Sequence, residues 1–232
     1  MEKIVNIAID GPAGAGKSTI AKRIAKELSY IYVDSGAMYR GVTLLAMEKG
    51  LIGPGGIDEP SLKKELEAGY DLHFERPGDG STRLFSGNRD IEKEIRTMEV
   101  SSHVTPVSAI PFVRSWVDAR LHAFSEKGRV IMDGRDIGTT VFPAAEVKIF
   151  MVAEPEIRAQ RRYDELKAKG GNPDFDEVMK NLLERDHIDS HRETSPLRRA
   201  EDAYVMDNSD MTLHEETVWL RGLLQGKFGI LE

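Results

Sequence analysis

The sequence contains no cysteine. Disulfide bonds, thiolate metal centres and a catalytic thiol are therefore excluded together. No apolar run approaches the ~20 residues that a membrane-spanning helix needs. The chain passes from Met1 straight into a strand pattern carrying Asn6 and Asp10, with no signal-type apolar region or cleavage site. Positive charge is not in excess: the formal net charge is −7, which disfavours a general nucleic-acid or membrane-surface binder but leaves room for a local basic cleft. Internal repeats and low-complexity tracts are also missing. What remains is a chain of 232 residues, 40% apolar and 31% charged, the composition of a globular protein. That length suits one sizeable core with insertions, or two small domains. The expectation is a cytoplasmic monomer with small-molecule partners, no nucleic acid and no membrane.

The most informative stretch is residues 11–18, Gly-Pro-Ala-Gly-Ala-Gly-Lys-Ser. It has the spacing G-x-x-x-x-G-K-[ST] of a nucleoside-triphosphate phosphate loop. Residues 4–9 ahead of it are apolar and β-branched, as in a buried strand. Behind it Ile20, Ile24 and Leu28 recur at helical spacing, with Ala21 and Ala25 beside them. Gly11, Gly14 and Gly16 let the backbone turn tightly and aim its N–H groups into one concavity. The helix N-terminus adds partial positive charge. Lys17 is then placed to reach β- and γ-phosphates, and the Ser18 hydroxyl to ligate Mg²⁺. The loop by itself names a nucleotide phosphate and no reaction.

Further along, residues 30–33 predict a second strand, ending in Asp34-Ser35-Gly36-Ala37-Met38-Tyr39-Arg40. A polar turn at a strand's carboxyl end is where α/β sheets place ligands. A helix over 37–48 follows, with Ser35 as N-cap candidate and Arg40 one turn in, suited to an anion. Residues 52–57 predict a Gly/Pro loop and 61–68 a short helix. Tyr70, Leu72 and Phe74 then alternate with polar residues, 82–86 predict another strand, and Gly87-Asn88 predicts a tight turn before a third short one. This antiparallel meander does not fit a parallel alternation and is expected to be an insertion. Residues 100–109 are rich in Ser and Thr. Pro111 opens a helix whose stripe is Val113, Trp116, Val117, Leu121 and Phe124. Arg114 lies off that stripe, where spacing alone makes it a surface arginine.

Residues 129–133 predict a buried strand ending in Asp133-Gly134-Arg135-Asp136. An acid at such a strand tip is the usual second support of the Mg²⁺ shell beside a phosphate loop, which assigns the metal to Ser18 and Asp133. Residues 146–153 predict a fourth strand. Residues 154–169 predict a polar helix with Arg158, Arg161 and Arg162, ended by Gly170-Gly171-Asn172-Pro173: a solvated face or an arginine-bearing lid. In the next helix Asp174 and Glu177 have capping-box spacing, and the stripe is Phe175, Val178, Met179, Leu182 and Leu183. Continued, that stripe reaches Arg185, Asp189 and Arg192, either a ladder of ion pairs or a charged cleft. Residues 203–207 predict a fifth strand. Thr212 and Glu215 cap the last helix, packed through Val218, Leu220, Leu223 and Leu224. Five strands alternating with helices predict an α/β fold with a largely parallel sheet. Its carboxyl edge carries more arginine than one triphosphate needs, and arginine's fork matches phosphate oxygens.

Taken with the flanking Ile9-Asp10 and Thr19, the phosphate loop, the Asp-Ser-Gly-Ala-Met-Tyr-Arg stretch, Pro111 with Val113-Arg114, Asp133-Gly134-Arg135-Asp136-Ile137-Gly138-Thr139, the Arg185, Asp189, Arg192 spacing, and Pro196-Leu197 followed by Asp202-Ala203 resemble the bacterial cytidylate kinases, nucleoside monophosphate kinases of the P-loop class. The resemblance spans essentially the whole chain. It implies a three-layer α/β/α core with a five-stranded parallel sheet over residues 1–34, 105–153 and 200–232. It also implies a monophosphate-binding lobe at 35–104 with the antiparallel insertion, a helical lid at 154–173, and a substrate-facing helix and loop at 174–199. Gly11, Pro12, Ala13, Gly14, Ala15, Gly16, Lys17, Ser18 and Thr19 would bind ATP. Ser35, Arg40, Arg135 and Arg192 would hold the phosphate of CMP. Arg114 and Asp136 would read cytosine, and Arg185 and Asp189 would contact the ribose. Thr105 stands where the family usually has a serine as third base-reading group; it keeps the hydroxyl and adds a methyl. Lys17, Arg135, Arg192, Arg158 and Arg162 would neutralise the transferring phosphoryl group beside Mg²⁺.

The implied reaction is transfer from ATP to CMP or dCMP, with CMP and dCMP preferred to UMP. The rival readings are a phosphate-loop kinase for another monophosphate or for an alcohol, a nucleotide-hydrolysing switch, and a non-catalytic sensor. An alcohol acceptor would want a carboxylate base and fewer arginines. A switch would carry the guanine-reading Asn-Lys-x-Asp, which this sequence lacks.

Overall fold

The computed structural model describes residues 5–77, 81–168 and 170–230. Ile4, Gly78, Asp79, Gly80 and Lys169, which fall in a predicted strand, loop and helix, lie outside the described residues, as do the first three and last two positions. In chain order, β1 (Ile7–Asp10) leads through the glycine loop into α1 (Lys17–Leu28), and β2 (Ile31–Asp34) into α2 (Ser35–Glu48). A minimal hairpin of β3 (Ile52–Gly53) and β4 (Gly56–Ile57) and helix α3 (Glu59–Glu67) precede an antiparallel sheet of β5 (Leu72–Glu75), β6 (Arg83–Ser86) and β7 (Arg89–Asp90). Then come α4 (Met98–Ala109), α5 (Pro111–His122), β8 (Val130–Gly134), a π-type turn (Ile137–Val141) and β9 (Val147–Val152). Helices α6 (Pro155–Ala168) and α7 (Phe175–His191), strand β10 (Tyr204–Asp207) and α8 (Leu213–Phe228) complete the order.

Strands β10, β9, β1, β8 and β2 form one sheet in that order. Strand β1 pairs in parallel with β8 and β9, and β9 with β10. All of β1 and β8 is buried, as central parallel strands covered on both faces are. Ile7, Ile9 and Ile149 of the sheet pack with Ile20 and Ile24 of α1 and Leu220 of α8. Each such side chain contributes about 1.5–3 kcal/mol by leaving water. The predicted α/β class, five-stranded parallel sheet and antiparallel insertion are what the chain forms. Among the described residues no helix is long and apolar enough to cross a membrane.

The chain divides into two compact units, one of residues up to Tyr32 and from Ser125 onward, the other Val33–Phe124. In the second unit the antiparallel sheet sits on α2 at Gly41. A Cβ there would come within 2.8 Å of the Leu72 and Leu84 side-chain ends, so glycine allows this approach without displacing either leucine. Helix α3 starts earlier than its apolar pattern suggests, because the Asp58 side chain accepts from the Ser61 amide.

Several expectations need correction. Ser35 is not an N-cap; Asp34 holds that position and Ser35 is the first, buried residue of α2. The Gly/Pro stretch 52–57 contains the β3–β4 hairpin. The Ser/Thr-rich stretch is helix α4, capped by Thr97, with Val100, Val104 and Val107 buried at helical spacing. Its hydroxyls bond back to helix carbonyls, and Pro106 sits near its end with the side chain exposed. Arg114 is not a surface residue: it is 1% exposed. Leu183 and Val218, placed on buried stripes by spacing, are 47% and 54% exposed.

Candidate active site

In the first unit the glycine loop joins β1 to α1. Gly11, Gly14 and Gly16 have φ of 151°, 75° and 87°. At Gly11 a Cβ would lie 2.2 Å from the Met151 carbonyl oxygen, so the loop runs against the β9 backbone as no other residue allows. No side chain caps α1, which leaves its first amides to an anion. Lys17 is buried, and its Nζ donates to the Pro12 carbonyl at 2.7 Å. Burial first, and then the Arg135 guanidinium, bring its ammonium down to about 7.

Ser18 Oγ donates to Asp133 Oδ2 at 2.8 Å, and the Tyr32 hydroxyl donates to Asp133 Oδ1 at 2.7 Å. A hydroxyl and a carboxylate held together at a strand tip form a hard-oxygen pair. Mg²⁺ takes such a pair while keeping its other ligands as water and phosphate oxygens. The donor set therefore fits the metal expected here.

The charged continuation of the α7 stripe meets the turn after β8. Arg135 Nε donates to Asp189 Oδ2 at 2.8 Å, and Arg192 Nη1 to Asp189 Oδ1 at 3.3 Å. Arg185 Nε lies 3.9 Å from the same carboxylate. Arg192 also reaches Asp136 Oδ1 at 3.4 Å and is fixed by the Ser195 carbonyl at 2.6 and 2.8 Å. The helical ladder is therefore present, and Arg135 and Asp136 from the turn turn it into a cluster. Arg135 keeps its charge: burial works against it, and the carboxylates of Asp189, Asp186 and Asp133 together outweigh burial. Burial likewise pushes the Asp189 carboxyl up, but Arg135, Arg185 and Arg192 hold it below its ordinary value. A carboxylate with a depressed folded pKa adds stability above its unfolded value of ~3.9, and that stability is lost as pH falls through the folded pKa. Melting temperature should therefore drop below about pH 4, and this acid limb should be shallower in Asp189→Asn, which is already less stable at pH 7. Parallel acid limbs in the two proteins would exclude Asp189 as the titrating group.

Arg158, expected on a solvated or lid face, is 5% exposed. Its Nε donates to Ala153 O at 2.9 Å, and its Nη1 to Ala13 O at 3.0 Å and Asp186 Oδ2 at 2.6 Å. Asp186 Oδ1 also accepts from the Ala13 amide at 3.3 Å. Arg158 thus braces the phosphate loop in this structure. Arg161 donates to the Asn208 side chain and carbonyl at 3.2 and 2.9 Å. Asn208, fully buried, donates to Ala15 O at 2.9 Å and Glu216 Oε1 at 2.7 Å. Arg162 is more exposed and pairs with Glu165 at 2.7 Å. A cavity of ≈ 200 Å³ is lined by Gly16, Thr19, Arg161, Met211, Leu213 and Glu216.

In the second unit Ser35 is buried, and Arg40 Nη1 lies 3.7 Å from Asp34 Oδ2. Arg96 donates to the same oxygen at 2.7 Å. The Arg114 guanidinium donates to Ser108 O at 3.1 Å and lies over the Tyr39 ring, 5.1 Å from its centroid. Thr105 is half-buried on α4. Sequence reasoning did not single out Asp10, Asp34, Arg96, Asp186, Asn208 or Glu216. Asp10, Asp34 and Asn208 had a usable signal, a polar residue at the carboxyl end of a sheet strand; Arg96, Asp186 and Glu216 had none.

Residues 7–218 match the family model described as cytidylate kinase. The chain belongs to the cytidylate kinase family. A curated cytidylate kinase of Bacteroides fragilis is 50% identical over 221 residues, covering 94% of this chain and 95% of that protein. One from Flavobacterium johnsoniae is 46% identical over 215 residues, covering 92% and 93%. The solved structure of an uncharacterized protein from Eubacterium ventriosum aligns with a TM-score of 0.53 at 9% identity, over 96% of this chain and 99% of that one. That last likeness carries the fold alone. Membership of the cytidylate kinase family places this chain among ATP-dependent phosphotransferases with nucleotide substrates.

Proposed function

We propose that this chain transfers the γ-phosphoryl group of ATP to CMP or dCMP, giving ADP with CDP or dCDP, with Mg²⁺ at Ser18 and Asp133. Beyond family membership, the observation that carries the reading is the gathering of Arg135, Arg185 and Arg192 around Asp136 and Asp189. Three guanidiniums face two carboxylates, leaving charge for an anionic acceptor that a triphosphate loop does not itself require.

The phosphate of CMP has a second pKa near ~6. At neutral pH it is already a nucleophile, so no general base is needed. The protein's task is to hold two anions in line and to neutralise the charge on the transferring group. Lys17 would meet the β- and γ-phosphates. Arg135 and Arg192 would hold the acceptor phosphate, as would Ser35 and Arg40 of the second unit. Ser18 and Asp133 would hold Mg²⁺, which would supply neutralisation of the charge on the β- and γ-phosphates. Arg185 and Asp189 would contact the ribose, and Asp136, Arg114 and Thr105 the base. In this reading 35–104 is the monophosphate lobe, 154–173 the lid, 174–199 the substrate-facing segment, and 1–34, 105–153 and 200–232 the core. Lid closure would exclude the water that otherwise hydrolyses ATP. Arg158 would act by bracing Ala13 or by turning to the phosphates on closure, and Arg162 would join it from the same helix.

ADP formation from Mg·ATP with CMP, dCMP, UMP, AMP, GMP or dTMP, each alone, tests the proposal. Strong stimulation by CMP and dCMP is expected. Stimulation by a different monophosphate would discard the cytosine assignment, and no stimulation by any would discard the nucleotide acceptor.

A further inference from the structure

Asp10 has no part in the reaction as drawn above, yet it is buried and doubly engaged. It is the last residue of β1, and its main chain continues into Gly11 of the phosphate loop. The Ile137 amide donates to its Oδ1 at 2.7 Å, and the Gly138 amide to its Oδ2 at 2.7 Å. Those are the two amides that follow Asp136. The segment beyond winds into the π-type turn, closed by Phe142 N–H to Ile137 O at 2.6 Å and Thr140 N–H to Asp136 O at 2.8 Å. Such turns interrupt regular winding and recur at functional sites.

Gly138 is shaped to this contact. A Cβ there would lie 3.3 Å from Asp10 Oδ2 and 3.2 Å from Lys148 Cδ. Burying a carboxylate is costly. Burial above all, and Asp136 with it, raise the Asp10 carboxyl while the two amides pull it down, and the balance stands at about 7. An asparagine would avoid the buried charge. It could not serve both amides, because one of its two terminal atoms is itself a donor.

We propose that Asp10 is a positioning residue for base specificity: its carboxylate fixes the peptides after Asp136, and with them the line along which Asp136 meets the 4-position of the pyrimidine. The inference rests on the reading of Asp136 as the cytosine acceptor. Displacements of about 1 Å at a supporting contact are enough to cost ~10²-fold in a reaction. The same residue joins the acceptor-reading turn to the donor loop, but through main chain on one side and side chain on the other. A side-chain substitution should therefore separate them.

The test compares wild type, Asp10→Asn and Asp136→Ala with CMP and UMP, and adds amide hydrogen exchange at Ile137 and Gly138. Asp10→Asn should raise KM for CMP and lower the CMP:UMP ratio of kcat/KM, each by about tenfold or more, with KM for Mg·ATP within about twofold of wild type. Exchange at the two amides should accelerate about tenfold or more. A loss of kcat with an unchanged CMP:UMP ratio, or unchanged exchange, would overturn the proposal. If Asp136→Ala keeps the CMP:UMP ratio, the base-reading assignment itself fails. If Asp136→Ala lowers the ratio and Asp10→Asn does not, only the positioning role fails. Should Asp10→Asn not fold, Asp10→Ser takes its place. In the wild type both amides should exchange only through global unfolding, and rapid exchange there would likewise overturn the proposal.

Discussion

Replacing Lys17 by methionine should lower kcat by about 10²–10³-fold, the loss seen when one preorganised charge donor is removed from a transition state. Methionine keeps the length and apolar stem of the side chain, so the fold should survive. The ammonium is buried and bonded to the Pro12 carbonyl, which fixes its direction before any nucleotide arrives. In the proposed reaction charge moves toward the β–γ bridge as the phosphoryl group departs, and a fixed cation there is worth more in the transition state than in the ground state. KM for ATP should accordingly change less than kcat. A second readout follows from the ammonium, which burial brings down to about 7. The free enzyme should then hold part of its Lys17 neutral at pH 8, and a bound polyphosphate should restore the charge. ATP binding should then take up protons, seen as a buffer-dependent binding enthalpy, and Lys17→Met should abolish that dependence. A wild-type enthalpy independent of buffer would mean that Lys17 is charged throughout.

Replacing Asp136 by alanine should collapse the preference for CMP over UMP by about 10- to 100-fold, matching ~1–3 kcal/mol for a well-placed polar contact to a base edge. A carboxylate accepts from the cytosine 4-amino group, whereas uracil presents an oxygen there and two acceptors face each other. Asp136 is 4% exposed and sits against Arg192, itself fixed by the Ser195 carbonyl. Its oxygens therefore cannot swing away to relieve that repulsion. Asp136→Asn makes the sharper comparison: its amide can donate to uracil, so UMP turnover should rise relative to CMP. Competition between the two monophosphates at fixed Mg·ATP measures the ratio directly. Equal turnover of CMP and UMP by the wild type would remove Asp136 from base recognition.

Much of the first unit was legible beforehand because its signals are local. Glycine spacing, short β-branched runs and the Thr212–Glu215 capping box act within a few residues, and each appears where its pattern lies. The stripe that turns charged at Arg185, Asp189 and Arg192 was also readable, since helical spacing carries a face past the point where its chemistry changes. Helix α4 drew no assignment from its Ser and Thr content, while the Thr97 cap and the three buried valines suffice for a helix.

Arg114 and Arg158 show the boundary most clearly. Spacing makes Arg114 a surface arginine and puts Arg158 on a solvated face or a lid, yet each is buried because partners distant in sequence receive its guanidinium: Tyr39 for Arg114, and Ala13 with Asp186 for Arg158. Sequence alone determined that a phosphate loop, a parallel sheet and a surplus of arginine exist, since these follow from residue type and short-range periodicity. Only the tertiary structure decided which arginines are braces and which stand around Asp136 and Asp189. It also decided that the acid ending the first strand holds a turn 127 residues away. A buried charge is stable only where the fold brings it a partner, and no local pattern reports where that partner will be.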